Sequence, residues 1–450
     1  QKEVFKPINP SSVGIYVCGM TVYDFCHMGH ARVLVMFDVI TRHMRHTFPE
    51  VKYVRNITDI DDKIINRSIE NQEDIYSLTN RFIEAMHEDE IALNILKPDL
   101  EPRATDSIDQ MNSMIDSLIE QGFAYQGENG DVYYSVRNFK NYGKLSGKNL
   151  DDLEAGARVD IESDKRDPLD FVLWKMAKPN EPKWSSPWGD GRPGWHIECS
   201  AMSTHHLGNH FDIHGGGMDL TFPHHENEIA QSEAATGNTF AKYWMHTGPL
   251  QINQEKMSKS LDNFLTIRNA LKEYSSEILR FFLLSSHYRS PINFSKEAVE
   301  ESKSALHRLY TSILNLDLSL IEESPTSTFT KEFQKAMDDD FNVPKALAVI
   351  FKMATSINKE REKGDMKKTK SLAKELITLC EPLGLLQQKP EIFLKEGVGL
   401  IESKINSLIK KREKAREKGD YIFADAIRQE LLEKNIILED SIEGTFWRRR

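Results

Sequence analysis

The chain has 450 residues, 39% hydrophobic and 28% charged, which is too long for one core and fits a folded globular protein of roughly two to four domains. Its 58 Lys and Arg against 69 Asp and Glu leave a net charge of −11, so a global basic footprint for nucleic acid is excluded. No apolar run approaches the roughly 18 residues of a membrane helix, Gln1–Pro10 has no signal-peptide core, and no membrane partner is expected.

Val13–Val17 (VGIYV) predicts a buried strand, and Ala31–His46 carries a helical apolar period through Val33, Leu34, Phe37, Val39, Ile40 and Met44. Val51–Ile57 predicts the next strand. Strand, loop, helix and strand in that order predict an α/β fold with a doubly wound parallel sheet, its ligand crevice beyond the carboxyl ends of the strands. The loop from Cys18 to His30 falls there. Residues 70–125 read as helical, broken at Pro98, Pro102 and Gly122. Residues 126–192 hold three of the six Trp and read as an insertion of short strands and loops. Residues 193–248 hold eight of the fifteen His. There Phe211–His214 predicts a core strand leading into Gly215–Gly217, and Pro223 is expected at the first position of a helix running through Ala234.

From about residue 296 the pattern is mainly helical, with helices expected from Ala298 to Leu314, from Pro344, and near 367–380, 401–418 and 420–434. Ile436–Trp447 reads as short strands with a turn at Gly444. Residues 401–420 carry seven Lys or Arg and four Asp or Glu, and the chain ends Arg448-Arg449-Arg450, a basic end on an acidic body. Cys18, Cys26, Cys199 and Cys380 are too few and too widely spaced for a disulfide framework or a local CxxC hook. A reduced, cytoplasmic compartment fits them, and any metal site using them is assembled by the fold.

Two motifs carry chemistry. His27-Met28-Gly29-His30 sits where the first loop meets a helix, with two imidazoles three residues apart. Gly29 admits a close backbone approach, and the helix N-terminus favours phosphate. Alone, this is equally an ordinary helix start. Lys256-Met257-Ser258-Lys259-Ser260 suits a mobile clamp for the charge on a leaving pyrophosphate. Alone, it is a solvated basic turn.

Together the motifs resemble those of the class I aminoacyl-tRNA synthetases, HMGH standing for the HIGH type and KMSKS unaltered. Within that class the chain is similar to the cysteinyl family. Tyr16–Asp24 (YVCGMTVYD), Tyr53–Lys63 (YVRNITDIDDK), Pro193–Met202 (PGWHIECSAM) and Phe211–Glu228 (FDIHGGGMDLTFPHHENE) carry that similarity. Met28 for the usual Ile is a swap of similar volume. The resemblance implies a Rossmann-like catalytic domain in two halves (1–125 and 193–260) around a connective insertion (126–192). A linker region after KMSKS (261–295) follows, then a helical-bundle tRNA-binding domain (296–395) and a small anticodon-recognition domain (396–450).

The resemblance also implies a single zinc ion per chain on Cys18, Cys199, His224 and Glu228. All four are residue types zinc accepts, and His224 and Glu228 share a helix face. Taken singly, Cys199 reads as a small buried hydrophobe and His224 with Glu228 as a charged helix start. Four protein ligands usually close a site, so the substrate's thiolate must enter as a fifth ligand or loosen the carboxylate. Selection by metal–sulfur bonding predicts no editing domain.

His27, Gly29, His30, Gly217, Asp219 and Lys259 are the expected ATP contacts, with Mg²⁺ accompanying ATP. His27, His30, Lys256 and Lys259 are expected to act in catalysis, and Thr58, Trp195 and His196 to line the amino-acid pocket. Cys26 and Cys380 are read as structural, and His205–His206 receive no role. The implied partners are L-cysteine, ATP and tRNA(Cys), and the implied state is a cytoplasmic monomer. Three other readings compete. A ligase joining cysteine to an amino sugar would lack the roughly 150 residues after Asn293. A zinc hydrolase would leave KMSKS unexplained. A non-enzymatic tRNA-binding protein would not need either motif.

Overall fold

Val13, Ile15, Tyr16 and Val17 are almost wholly excluded from solvent, as a strand covered on both faces requires. The computed structural model describes residues 3–150, 164–179, 181–257, 263–319, 327–395, 402–441 and 444–449. It divides into two units, Gln1–Ser295 and Lys296–Arg450.

In the first unit, β1 (Ser12–Val17), α1 (Met28–Thr47) and β2 (Glu50–Arg55) form the predicted parallel unit, with Val17 opposite Arg55. Helices α2 (Asp62–Asn71), α3 (Ile75–Ala92) and α4 (Ile108–Glu120) follow. Strands β3 (Ala124–Gln126), β4 (Val132–Tyr134), β5 (Phe171–Met176) and β6 (Gly191–Pro193) make a separate antiparallel sheet that overlaps the expected insertion, 126–192, and reaches slightly past it at both ends. Helix α5 (Trp195–Leu207) returns the chain to the main sheet, where β7 (Phe211–Gly217), α6 (His224–Thr236) and β8 (Ala241–Thr247) complete it. The parallel order is β2-β1-β7-β8. The chain thus winds outward from β1 on one side and from β7 on the other, making a switch point between these two strands.

Two differences from the sequence reading have simple causes. Helix α5 was not among the expected elements. Its Glu198, Ser200 and Ser203 are as buried as Ile197 and Met202, so it shows no apolar period. Pro223 lies before α6, in the cap position rather than at the first turn.

In the second unit the helices Lys296–Ile313, Thr328–Met337, Val343–Glu362 and Met366–Cys380 pack through residues such as Leu306, Phe333, Ile350 and Leu376. The helix Thr328–Met337 was not expected, although Phe329, Phe333, Ala336 and Met337 carry the right spacing. Farther on, helices Glu402–Glu417 and Tyr421–Glu433 and the hairpin Ile436–Ser441 with Gly444–Arg449 close a small core of Ile405, Ile409, Ile427, Leu431, Ile436, Leu438 and Trp447. Among the described residues no helix is long and apolar enough to cross a membrane.

Candidate functional site

The carboxyl ends of β1 and β7 lie side by side, with Val17 opposite Gly215 and Cys18 N–H donating to Gly215 O at 3.1 Å. This sets Cys18 directly at the switch point. Helix α5 brings Cys199, and α6 brings His224 and, one turn on, Glu228. The first five residues of α6, His224 to Glu228, are all buried although all are polar. Such a helix is stable only if those groups are partnered.

His224 pairs with Glu228, Glu226 accepts from the N–H groups of Leu145 and Ser146, Asn227 accepts from the Tyr142 hydroxyl, and His225 faces His246. The ligating atoms of Cys18, Cys199, His224 and Glu228 all lie within 4.8 Å of each other, and every one of the four is buried. Cys18 Sγ is 3.2 Å from Glu228 Oε1, and His224 Nε2 is 3.0 Å from the same oxygen. Burial opposes charge on each group. Even so, His214 and His224 hold Glu228 well below the usual carboxylate range, and Glu228 and Cys199 raise His224 to about 10. Burial pushes the Cys199 thiol up, but hydrogen bonds with Cys18 and His224 outweigh it and bring it down to about 6, while Cys18 rises. Glu228 and Cys199 are thus driven toward their anionic forms beside a positively charged His224, while Cys18 stays a neutral thiol. Two thiols, an imidazole and a carboxylate, buried together, are a donor set zinc accepts.

Neighbouring groups fix these side chains. His196 Nδ1 lies 2.9 Å from His224 Nδ1, and Trp195 stacks on the His224 ring at 4.3 Å. Asn56 Oδ1 faces Cys199 Sγ at 3.5 Å. Thr58 donates from Oγ1 to Glu198 Oε2 at 3.0 Å and accepts from Asn56 Nδ2 at 3.2 Å. So Trp195 and His196 touch the cluster directly, whereas Thr58 is tied into the Asn56–Glu198 network.

The HMGH segment begins α1 rather than preceding it: His27 is the cap and His30 is in the first turn. The two rings stack at 3.6 Å. His27 Nδ1 accepts from His30 N–H at 3.2 Å, and His30 Nδ1 accepts from His27 N–H at 3.3 Å. Both Nδ1 atoms are acceptors, so in the neutral rings both protons sit on Nε2. A side-chain carbon at Gly29 would fall 2.9 Å from the His27 ring, which is why no side chain fits there.

The chain following the lysine motif is joined to the same place: Met28 N–H donates to Leu265 O, Ile267 N–H donates to Cys26 O, and His27 bridges Thr266. Lys256 lies in the short strand Glu255–Lys256, but its side chain, with Ser258, Lys259 and Ser260, lies outside the described residues. Gly217 ends β7, where a side-chain carbon would fall 2.4 Å from Asp219 Oδ1, and Asp219 is exposed just beyond.

Comparison with known proteins accords with this geometry. Residues 4–304 match the model of the class I (C) tRNA synthetase catalytic domain. Residues 332–387 match the DALR domain, and 400–448 match the cysteinyl-tRNA ligase anticodon binding domain. The cysteine–tRNA ligase of Methylococcus capsulatus is 58% identical, the match covering 100% of this chain and 98% of the relative. The chain belongs to the cysteine–tRNA ligase family of class I tRNA synthetases. The family's member from Hydrogenovibrio crunogenus is 57% identical, covering 100% of this chain and 97% of that one. A solved Mycobacterium tuberculosis methionyl-tRNA synthetase bound by methionyl-adenylate shares the fold, with TM-score 0.63 at 14% identity, over 85% of this chain and 93% of that one.

In this member of the family the sequence reading passed over His214, His225, Asn56 and Glu198, all buried about the cluster. A signal for His214 was present: a histidine beside Phe211 and Ile213 in a strand expected to lie in the core. The basic stretch near the end also divides. Arg412 is buried and binds both oxygens of Asp440, at 2.8 and 2.7 Å, and Arg448 pairs with Glu439 at 2.7 Å. Those two cations therefore hold the fold of the small domain.

Proposed function

We propose that the chain activates L-cysteine with ATP and transfers it to the 3′ end of tRNA(Cys). The observation that carries this reading is the buried Cys18, Cys199, His224 and Glu228 quartet at the β1–β7 switch point of a class I synthetase sheet. These four residues would hold zinc, with His196 and Trp195 orienting His224 from behind. A zinc ion held there would supply thiolate-binding Lewis acidity, which favours the substrate's thiol over the harder, far less acidic serine hydroxyl.

The rest of the site positions ATP and manages charge. In the first step an oxygen of the cysteine carboxylate bonds to the α-phosphorus of ATP, and the bond to the β-phosphate bridging oxygen breaks, releasing pyrophosphate. The Nε2–H groups of His27 and His30 would donate to phosphoryl oxygens at the α1 N-terminus. Gly29 and Gly217 would let the nucleotide approach the backbone, and Asp219 would meet a ribose hydroxyl or the substrate's amino group. Lys259, with Lys256, would neutralise the leaving pyrophosphate, and Mg²⁺ would accompany ATP. In the second step a terminal ribose hydroxyl of the tRNA attacks the acyl carbon and AMP leaves. Thr58 would support the pocket through Glu198. The helical residues 296–395 and the small domain 396–450 would hold the tRNA and its anticodon. A cytoplasmic monomer fits this role.

Pyrophosphate exchange into ATP tests the reading when each amino acid is supplied in turn. Exchange that requires cysteine, followed by charging of tRNA(Cys), is the expected result. Exchange driven equally by serine, or no exchange with cysteine, would overturn it.

A further inference from the structure

Glu228 divides its two oxygens between different neighbours. Oε1 faces Cys18 Sγ at 3.2 Å and His224 Nε2 at 3.0 Å. Oε2 receives a hydrogen bond from His214 Nε2 at 2.7 Å, and both of those side chains are 0% exposed. A carboxylate only accepts, so the proton is on Nε2. The His214 ring is clamped: it stacks on Trp244 at 4.5 Å, with Tyr16 at 5.3 Å, His225 at 4.7 Å and Phe240 at 5.5 Å. Among the described residues its Nδ1 has no hydrogen-bond partner, so the bond to Glu228 is what a histidine at this position provides.

A carboxylate beside a metal binds through one oxygen or through two. Two-oxygen binding would fill the place that an incoming sulfur needs. We propose that His214 is a positioning residue that keeps Glu228 Oε2 off the metal, so that a coordination place stays open for the substrate's thiol. This rests on Cys18, Cys199, His224 and Glu228 being the ligands. A rival arrangement exists, since the ligating atoms of Cys18, His214, His225 and Glu228 also lie within 4.8 Å of one another. In that arrangement His214 would be a ligand itself.

Zinc X-ray absorption on the full-length zinc-loaded chain, with and without L-cysteine, separates these arrangements. The expected wild-type spectrum has two sulfurs, one imidazole and one oxygen, matching the quartet, and gains a third sulfur with cysteine. His214→Leu should keep its zinc, gain an oxygen, and fail to add the third sulfur. Its KM for cysteine should rise roughly 10–100-fold, with the KM for ATP unchanged. His214→Gln, whose amide N–H can replace Nε2, should restore the third sulfur. A Leu variant that adds the sulfur as wild type does would overturn the positioning role while leaving the ligands in place. A wild-type spectrum with one sulfur and two imidazoles would overturn the ligand set itself. Should the Leu variant not fold, the wild-type zinc protein before cysteine decides: one carboxylate oxygen supports the proposal, and two sink it.

Discussion

His27 and His30 cap each other, the Nδ1 of each ring accepting the backbone N–H of the other residue at 3.2 and 3.3 Å. The reciprocal bond starts α1 and, in the same act, sets both tautomers. Burial and the neighbouring His27 push His30 well below the ordinary histidine value, so its ring is neutral at pH 7 and still offers an Nε2–H. His30→Asn keeps a short acceptor for the cap but loses that donor. Cysteine-dependent pyrophosphate exchange should then slow about 10²–10³-fold, with little change in Tm. His30→Ala should add about 1 kcal/mol of destabilisation from the lost cap. Equal kinetics for wild type and His30→Asn would remove the ring from the phosphate site.

Cys199 shares its surroundings with Cys18, His224 and Glu228, and serine at that position is a poor match for a thiolate-binding metal. Cys199→Ser should lose zinc, measured by atomic absorption, and its KM for cysteine should rise more than about 100-fold. Chelation of the wild-type protein should produce the same loss, reversed by added zinc. Normal zinc content and cysteine affinity in the variant would show that the sulfur is not a ligand.

Lys259 is the cation expected on the leaving pyrophosphate. Lys259→Ala should slow adenylate formation about 10²–10³-fold while cysteine binding, followed by calorimetry, stays within twofold, roughly the error of such comparisons. An unchanged single-turnover rate of adenylate formation would exclude the role.

Tyr421, Ile422 and Phe423 are 64%, 87% and 51% exposed on one helix turn of the small domain, an unusual display of apolar surface. Aromatic side chains so placed can stack on unpaired bases, each worth about 1–3 kcal/mol. The double variant Tyr421→Ala with Phe423→Ala should raise the KM for tRNA(Cys) in charging and leave pyrophosphate exchange unaltered. Loss of exchange would point to misfolding, and unaltered charging would place the anticodon elsewhere.

Asp440 is held well below the usual carboxylate range by hydrogen bonding to Arg412, against a smaller opposing effect of burial. A depressed carboxylate contributes stability that is complete above its unfolded value of about 3.9 and is lost as the pH falls below it. Asp440→Asn should therefore cost about 1–2 kcal/mol at pH 7, a figure reduced for the partial exposure of Asp440, because Arg412 is left buried without its anion. In denaturant titrations the gap between variant and wild type should hold steady down to about pH 4, narrow between about 4 and 3, and go on narrowing below 3. A gap that stays constant below pH 4 would show that the ion pair is not its source.

Local patterns carried much of this protein. VGIYV, the apolar period through Val33 and Phe37, and VKYVRNI are readable because a strand or helix face is set by residues a few places apart. HMGH and KMSKS are equally local, and Cys18, Cys199, His224 and Glu228 could be picked out together only through the resemblance to a known family. What no local pattern contains is contact across the fold. Cys18 and Glu228 are 210 residues apart, and they meet because burying β1 against β7 forces the two carboxyl ends together. The same packing placed His214 behind Glu228 and turned Thr58 toward Glu198. In the small domain it was the pairing across the fold with Asp440 that took Arg412 out of the basic surface, because a guanidinium beside a small apolar core is stable only with its carboxylate.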